Sequence, residues 1–163
     1  MKAKGKPIDK GKLIIAVLIP LIAGFIGGFF TFASVNDWYA TINKPSFNPP
    51  SWVFGPAWTI LYILMGVSLY LVWIKGIESR RAKIAVILFA FQLFLNVLWS
   101  LLFFGLRSPY YAYLEINFLW VSILITMIAF YHVSKKAAYL MVPYILWVSF
   151  ATILNFFVFM LNM

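Results

Sequence analysis

The sequence predicts an all-α membrane protein, a bundle of five transmembrane helices that forms a single domain over residues 1–163. The first observation is the composition, because 64% of the residues are hydrophobic and only 10% are charged. Soluble domains carry about 25% charged residues, so this chain has too few charges to cover a surface that faces water. The second is a set of long charge-free stretches, and the third is the uneven placement of the basic residues.

Five apolar stretches are each long enough to cross a bilayer, which takes about 20 residues in a helix. Charged residues are absent from 13–36, 45–74, 84–106 and 137–163. A fifth stretch carries only Glu115. The predicted transmembrane helices are approximately 13–35, 52–74, 84–106, 110–131 and 137–160. The connection at 105–109 is short, which predicts that the third and fourth helices are antiparallel neighbours.

The basic residues lie almost entirely on one side of this topology. Of the 13 lysines and arginines, only Lys44 and Arg107 fall in segments on the opposite side. Cytoplasmic loops are enriched in basic residues, so the N-terminus is predicted in the cytoplasm and the C-terminus outside, in a bacterial or archaeal cell membrane. Topology therefore accounts for the net charge of +9, and no nucleic-acid partner is expected.

Several kinds of reactive site are excluded by the residue types. The chain has no cysteine, which excludes disulfides, thiolate nucleophiles and zinc–thiolate sites. His132 is the single histidine, so a bis-histidine haem site is excluded, and no metal or obligatory cofactor is expected. Glu115 has two interpretations. It either takes part in proton coupling or lies near the outer interface close to Arg107, and the second interpretation is preferred.

The segment 38–58, called here the proline-rich loop, separates the first two spans. It contains four prolines and three tryptophans. Proline fixes φ and removes a backbone donor, so this segment cannot be a plain helical hairpin. Irregular backbone in a membrane protein lies outside the hydrocarbon or is buried against protein. We predict a lid over the bundle, with Trp58 reaching into a pocket and Trp52 marking the membrane surface.

Polar and aromatic residues recur every four positions in three spans, which places each set on one helix face. The sets are Trp58 and Tyr62; Gln92, Asn96 and Ser100, adjoined by Trp99 and Phe103; and Pro143, Trp147, Ala151 and Asn155. Because polar groups avoid lipid, these faces are predicted to converge inside the bundle. They either join helices through hydrogen bonds or line an apolar pocket for a flat ligand, and the number of aromatic residues favours the pocket.

Tryptophans at mid-depth carry a further prediction. Trp99, Trp120 and Trp147 lie well inside their spans, where an aromatic belt at the membrane surface does not explain them. A buried indole N–H needs a hydrogen-bond partner, which is either a polar side chain or a ligand group.

Small residues and prolines within the spans also have consequences for packing. Gly24 and Gly28 form a G-x-x-x-G pattern that permits close helix contact, and packing within the bundle is preferred to a dimer seam. Pro20 and Pro143 lie inside predicted spans, where they kink the helix or are accommodated by neighbours.

Four blocks carry a family resemblance. They are Trp38-Tyr39 through Lys44-Pro45; Asn48 to Pro56 with Trp58; Asn96 to Ser100 with Phe103-Phe104-Gly105; and Pro143 to Trp147 with Ala151 and Leu154-Asn155. At these residues the sequence resembles the TspO/MBR family, the tryptophan-rich sensory proteins related to the mitochondrial translocator protein. The resemblance covers nearly the whole chain.

The resemblance implies a five-helix bundle, a homodimer, that binds porphyrins such as protoporphyrin IX and synthetic benzodiazepine-type ligands. The implied pocket walls are Tyr39, Trp58, Tyr62, Asn96, Ser100, Phe103, Trp147 and Ala151. We expect a sensory or regulatory role, with Asn96 as a polar anchor for the porphyrin. The alternatives are light-dependent porphyrin degradation, in which Trp58 and Trp147 would act, and small-molecule transport.

The sequence departs from the family at two places. Phe47 stands where the family often has tryptophan. The C-terminal cholesterol-recognition motif of animal members needs a tyrosine and a basic residue after Asn155, and the segment 156–163 contains neither. Cholesterol binding is therefore not expected.

Overall fold

The computed structural model describes residues 8–163, so Lys2, Lys4 and Lys6 of the basic N-terminal segment lie outside the described residues. The predicted all-α membrane class is confirmed, because the described chain is helical and has five helices long and apolar enough to cross a membrane. The α-helices are α1 (Lys10–Ser34), α2 (Trp38–Thr41), α3 (Phe54–Trp73), α4 (Arg80–Ser100), α5 (Pro109–Val133), α6 (Lys135–Leu140) and α7 (Val142–Leu161). A 3₁₀ turn at Ser51–Val53 precedes α3, and a π-helical turn at Leu101–Gly105 extends α4.

Short polar side chains start three of the spanning helices. Asp9 Oδ1 accepts from the backbone N–H of Lys12 at 3.1 Å at the start of α1, and Ser79 Oγ accepts from that of Ala82 at 3.2 Å at the start of α4. Ser108 caps α5 in the same way. Each cap satisfies one of the N–H groups that the first turn leaves without a partner. The helices therefore begin close to the predicted boundaries.

The five spans form a ring. The helix α1 packs against α3 and α4, α5 packs between α4 and α7, and α3 closes the ring against α6 and α7. The predicted antiparallel pairing of the third and fourth spans is confirmed, since α4 and α5 make the most extensive helix–helix contact. We call the end of the ring that carries the 74–79 connection the basic end, and the end that carries the proline-rich loop the loop end.

The two ends are packed differently. The main hydrophobic core fills the basic end and the middle of the bundle, around fully buried residues such as Met65, Phe89 and Phe130. A second, smaller cluster at the loop end contains the buried residues Tyr39, Phe103, Phe104, Ala112 and Val158. The ring is consequently solid toward the basic end and only partly filled toward the loop end.

Glycines control the approach of α1 to α3. A Cβ at Gly66 would overlap the backbone of α1, with Ala16 O at 2.9 Å, and a Cβ at Gly24 would overlap the Tyr62 ring. No neighbouring atom lies within 4 Å of a Cβ at Gly28. The preferred packing of the G-x-x-x-G pattern within the bundle therefore holds for Gly24 and not for Gly28, which faces open space.

The two prolines differ in their effect. Pro20 lies inside α1 and is buried, as expected for an accommodated proline. Pro143 was predicted inside a helix, but the fifth span breaks at Met141 and Pro143 is the second residue of α7. A proline costs little there, because the first-turn N–H groups have no partner within the helix in any case. Pro143 is exposed, so its assignment to an inward-facing stripe is wrong, and the neighbouring Tyr144 is the fully buried residue.

Candidate functional site

A cavity of about 430 Å³ lies at the loop end, between α1, α3, the end of α4 and α7. Ligand pockets for small molecules usually measure about 300–1,000 Å³ and are mostly apolar. Among residues 8–163, the side chains that line it are all uncharged. Seven of the eight predicted pocket residues line this cavity, namely Tyr39, Trp58, Tyr62, Ser100, Phe103, Trp147 and Ala151.

Stacked and edge-on aromatic rings make the wall on the α3 and α7 side. The Trp58 and Tyr62 rings stack with their centroids 5.5 Å apart and their planes at 26°. Trp147 meets Phe54 edge-on at 6.2 Å. Edge-to-face and offset-stacked pairs stabilise one another beyond the area they bury. The wall therefore presents rigid aromatic faces rather than flexible chains.

The opposite wall depends on the π-helical turn at the end of α4. The Trp99 and Phe103 rings stack at 5.2 Å, and Phe103 is 3% exposed. The turn is closed by a hydrogen bond from Leu106 N–H to Leu101 O of 2.7 Å. A single π turn inserts one extra residue per turn, and such turns are common at functional sites. Both Phe103 and the next residue, Phe104, line the cavity and are buried.

The floor of the cavity is a chain of hydrogen-bonded side chains. Tyr62 Oη donates to Asn96 Oδ1 at 2.6 Å, and Asn96 Nδ2 donates to Tyr144 Oη at 3.1 Å. Tyr144 Oη in turn donates to Gln92 Oε1 at 3.0 Å. Three helices, α3, α4 and α7, are joined by this chain. At its end, Gln92 Nε2 has no hydrogen-bond partner among the described residues.

This chain corrects the predicted role of Asn96. The residue is 2% exposed, does not line the cavity, and uses both ends of its amide on tyrosines. It positions the Tyr62 ring instead of facing the cavity itself. Tyr144 was missed because the residue four positions on, Val148, is apolar, so no polar stripe marked this face of α7. Its place directly after Pro143, within a block that resembles the family, was the available signal.

Four of the seven tryptophans form two pairs, which differ in the partner of the indole N–H. Trp99 Nε1 donates to Asn155 Oδ1 at 3.0 Å, and Trp120 Nε1 donates to Ser149 Oγ at 2.8 Å. The mid-depth indoles of Trp99 and Trp120 therefore join helices, and the Trp99 ring also lines the cavity. Trp58 and Trp147 line the cavity, and within residues 8–163 neither indole N–H donates to a protein group.

Tyr39 brings the proline-rich loop over the cavity. Its side chain is 4% exposed and its Oη donates to Asn48 Oδ1 at 2.7 Å. Lys44 Nζ donates to Tyr39 O at 2.6 Å and to Ile42 O at 2.8 Å. It thereby supplies hydrogen-bond donors to carbonyl groups at the end of α2. Burial raises the pKa of Tyr39 to about 12, opposed in part by the hydrogen bond to Asn48. The phenol is therefore a neutral group at physiological pH.

The proline-rich loop is also fastened to the end of α7. Asn43 N–H donates to Asn162 Oδ1 at 3.0 Å, and Asn162 Nδ2 donates to Asn43 O at 2.8 Å. The Phe47 ring meets Phe157 edge-on at 5.4 Å, so phenylalanine packs where the family often has tryptophan. Trp52 is 75% exposed, consistent with the predicted surface position.

One side of the cavity is open between α1 and α3. The rings of Phe25 and Phe32 line it and are 80% and 82% exposed, and Gly28 and Thr59 line it at the same gap. In a bilayer this gap faces lipid, because it lies along the apolar surface of two spanning helices. The cavity is thus roofed by the loop and accessible from the side.

Glu115 does not occupy the preferred interfacial position. Arg107 pairs with Asp37, with 3.2 Å between Nη2 and Oδ2, rather than with Glu115. Glu115 is 7% exposed on α5, and neither carboxylate oxygen has a hydrogen-bond partner among the described residues. The burial of Glu115 inside the bundle is compatible with the alternative interpretation, a part in proton coupling.

Known proteins resemble this chain over most of its length. The sequence model of the TspO/MBR family matches residues 16–161. The tryptophan-rich protein TspO of Archaeoglobus fulgidus is 46% identical over 152 residues, which cover 93% of this chain and 97% of that protein. The translocator protein of Homo sapiens is 39% identical over 140 residues, 85% of this chain and 83% of that protein.

A third relative matches a shorter part of the chain. The tryptophan-rich sensory protein of Cereibacter sphaeroides is 39% identical over 127 residues, 78% of each chain. Residues 16–161, matched by the family model, include α1 from Ala16 onward, the other four spans, the proline-rich loop and every residue described above as lining the cavity. This integral membrane protein therefore belongs to the TspO/MBR family.

Proposed function

We propose that this protein binds a flat tetrapyrrole such as protoporphyrin IX in the cavity under the proline-rich loop, and that it acts as a sensory or regulatory membrane protein. The observation that carries the proposal is the pair Trp58 and Trp147, two indoles that line an uncharged cavity without a protein partner for their N–H groups. The names of the relatives, translocator protein and tryptophan-rich sensory protein, support a sensory or transport role in the membrane.

The chemistry of the lining suits an aromatic ring system. The stacked Trp58–Tyr62 pair offers a flat face, and the Phe103 ring offers another from the opposite wall. No lining side chain carries charge, so the contacts would be to the ring rather than to its carboxylates. Because the side gap between α1 and α3 faces lipid, it would admit the ring from the bilayer, and the carboxylates would point toward the loop end and the membrane surface.

Titration of the purified protein in detergent tests this proposal. Protoporphyrin IX is expected to quench tryptophan fluorescence saturably, and Trp147→Ala is expected to weaken binding about tenfold, because an aromatic contact and its buried area are lost. Trp52→Ala is the matched control, since that indole is exposed and does not line the cavity. An unchanged affinity in Trp147→Ala, with a folded protein, would refute the site.

Light-dependent porphyrin degradation is the second candidate. The observation that favours it is that both indoles border the same cavity, so a photoexcited ring would lie beside two oxidisable side chains. Illumination in air should bleach the porphyrin absorbance faster with the protein than with Trp58→Phe/Trp147→Phe, which keeps aromatic rings in place. Equal bleaching by the two proteins would leave binding alone.

Transport, the remaining alternative, needs a path through the bundle. The half toward the basic end is occupied by the main core, with Met65, Tyr144 and Val148 at 1% exposure or less. This packing favours binding over passage. If flux across proteoliposomes is nevertheless measured, a decrease in Glu115→Gln would support coupling through that buried carboxyl group.

The assembly and orientation proposed with this function are a homodimer with its N-terminus in the cytoplasm. Because the chain has no cysteine, a single cysteine placed at Glu78 or at Asn162 reports one end of the bundle without interference. An impermeant thiol reagent applied to intact cells should label the cysteine at 162 and not that at 78. Light scattering of the detergent complex tests the dimer, and a monomeric mass would contradict it.

A further inference from the structure

We propose that a groove between α4 and α5 at the basic end binds the phosphate headgroup of an anionic phospholipid, with an acyl chain lying along the two helices below it. This site is at the opposite end of the bundle from the cavity and does not depend on the proposed ligand.

The groove has the shape and chemistry of an amphiphile site. It encloses about 340 Å³ and is lined by Arg81, Ile84, Ala129 and His132. Arg81 lies in the first turn of α4, and His132 lies in the last turn of α5, so both donors stand at the membrane surface. Ile84 and Ala129 lie one turn deeper on each helix. Polar groups therefore border the top of the groove and apolar groups border its floor.

The charge at this end is not neutralised by the protein. Ion pairs within residues 8–163 join Lys12 to Asp9 and Arg107 to Asp37, and neither involves Arg81. The exposed cations beside the groove include Arg80 and Lys83. A guanidinium binds phosphate through two parallel hydrogen bonds, and the nearby N-terminus of α4 adds favourable partial charge. Basic pockets between spanning helices on the positive side of a membrane protein suit anionic headgroups.

An apolar track continues from the groove into the membrane. Ile84 is 46% exposed, and Ile125, seven residues before His132 and hence on the same face of α5, is 45% exposed. Leu88 occupies the corresponding depth on α4 and is half-buried. These side chains form the continuous apolar surface that an acyl chain would cover. A free phosphate ion would use only the top of the site.

The place of Arg81 in the groove distinguishes it from basic residues that only set the orientation of the protein in the membrane. Orientation in the membrane needs basic residues near the helix ends but does not require any of them to border a groove. Lys135 and Lys136 are exposed at the same end and do not line the groove, so they act as internal controls for net charge. The proposal predicts that substituting Arg81 or His132 lowers the binding of anionic lipid and that substituting these lysines does not.

Native mass spectrometry of the delipidated full chain in detergent tests the proposal. Phosphatidylglycerol is expected to be retained at least about fivefold more than phosphatidylcholine with identical chains. Arg81→Gln should abolish most of that difference, whereas Lys136→Gln, which removes the same charge, should preserve it. Circular dichroism without lipid verifies that both variants are folded.

Two further arms separate the sources of binding. Glycerol phosphate in large excess should not displace the lipid, and Ile84→Trp, which fills the groove and keeps every charge, should lower retention of phosphatidylglycerol. Equal losses in Arg81→Gln and Lys136→Gln, equal retention of the two lipids, displacement by glycerol phosphate, or full retention in Ile84→Trp would each overturn the proposed lipid site.

Discussion

The two ends of the bundle use the same residue types for opposite purposes. Toward the basic end, Gly66 lets the backbones of α1 and α3 touch, and aromatic residues such as Phe89 and Phe130 stack within a closed core. Toward the loop end, Gly28 faces open space, and Trp58 and Trp147 border a cavity. Glycine and aromatic content alone therefore does not distinguish a packed region from a binding region. The partners of these residues do.

Tryptophan shows the difference most clearly. The indole N–H groups of Trp99 and Trp120 are used by Asn155 and Ser149 on α7, so these residues hold helices together. Trp58 and Trp147 pack against aromatic rings, and within residues 8–163 neither indole N–H donates to a protein group. Both interpretations of the aromatic and polar stripes are thus realised, and they overlap at Trp99 and Asn155, which bond to each other and also line the cavity.

The largest effect is expected from adding a Cβ at Gly66, where the backbones of α1 and α3 touch. Gly66→Ala places a Cβ against the backbone of α1 at Ala16 and Val17, so α1 must shift and the protein should lose about 1–3 kcal/mol or more. Thermal unfolding followed by circular dichroism in detergent measures it. Gly28→Ala is the control, and its melting temperature should be unchanged or higher. Equal destabilisation of the two variants would contradict the difference between the ends.

The next effect should come from the hydroxyl group of Tyr144. Tyr144→Phe leaves Asn96 Nδ2 and Gln92 Oε1 without their present partner, and an unpaired buried polar group costs about 1–3 kcal/mol. The melting temperature should fall, whereas Tyr139→Phe, at a ring that is 62% exposed, should leave it unchanged. A stable Tyr144→Phe protein would mean that the chain under the cavity does not hold the helices.

Paired tryptophan substitutions should separate stability from binding. Trp120→Phe removes the hydrogen bond to Ser149, at an indole that does not line the cavity, and should cost about 1 kcal/mol of stability. Trp58→Phe breaks no hydrogen bond to protein and should leave stability almost unchanged while lowering porphyrin affinity several-fold. Melting curves and fluorescence titrations of both variants test this. The comparison fails if Trp58→Phe is the less stable protein.

The smallest effect is expected at the fastening of the proline-rich loop. Asn43→Ala removes the side-chain bond to Leu161 O but keeps the backbone bonds to Asn162, whereas Asn162→Ala removes those bonds. Asn162→Ala should therefore release a bound porphyrin faster, by a few-fold, with a change in stability below about 1 kcal/mol because the bonds are exposed. Stopped-flow dissociation measures the rate. Unchanged release in Asn162→Ala would show that this fastening does not restrain the lid.

The charge pattern predicted the spans well because the cost of placing charge or unpaired backbone in lipid is large and local. Helical periodicity then predicted the sides of the cavity formed by α3, α4 and α7, since residues such as Trp58, Tyr62 and Ser100 share faces that must turn inward. It did not predict the side formed by α1, where Phe25 and Phe32 line the cavity. It failed at Pro143 and Tyr144, because the break at Met141 changes which residues of α7 face the bundle. The π-helical turn at 101–105 had no recognised pattern, because its bonding differs from that of an α-helix by a single residue.

What the sequence by itself determined is the class of protein, the number of spans and the set of residues available to the interior, because these follow from transfer free energies that each segment carries alone. Only the tertiary structure decided how those residues were used. Asn96 became a support for Tyr62, Arg107 paired with Asp37 instead of Glu115, and three of the tryptophans came to line one cavity. Such assignments depend on distances between helices, and a residue's partner across the bundle is not encoded in its own segment.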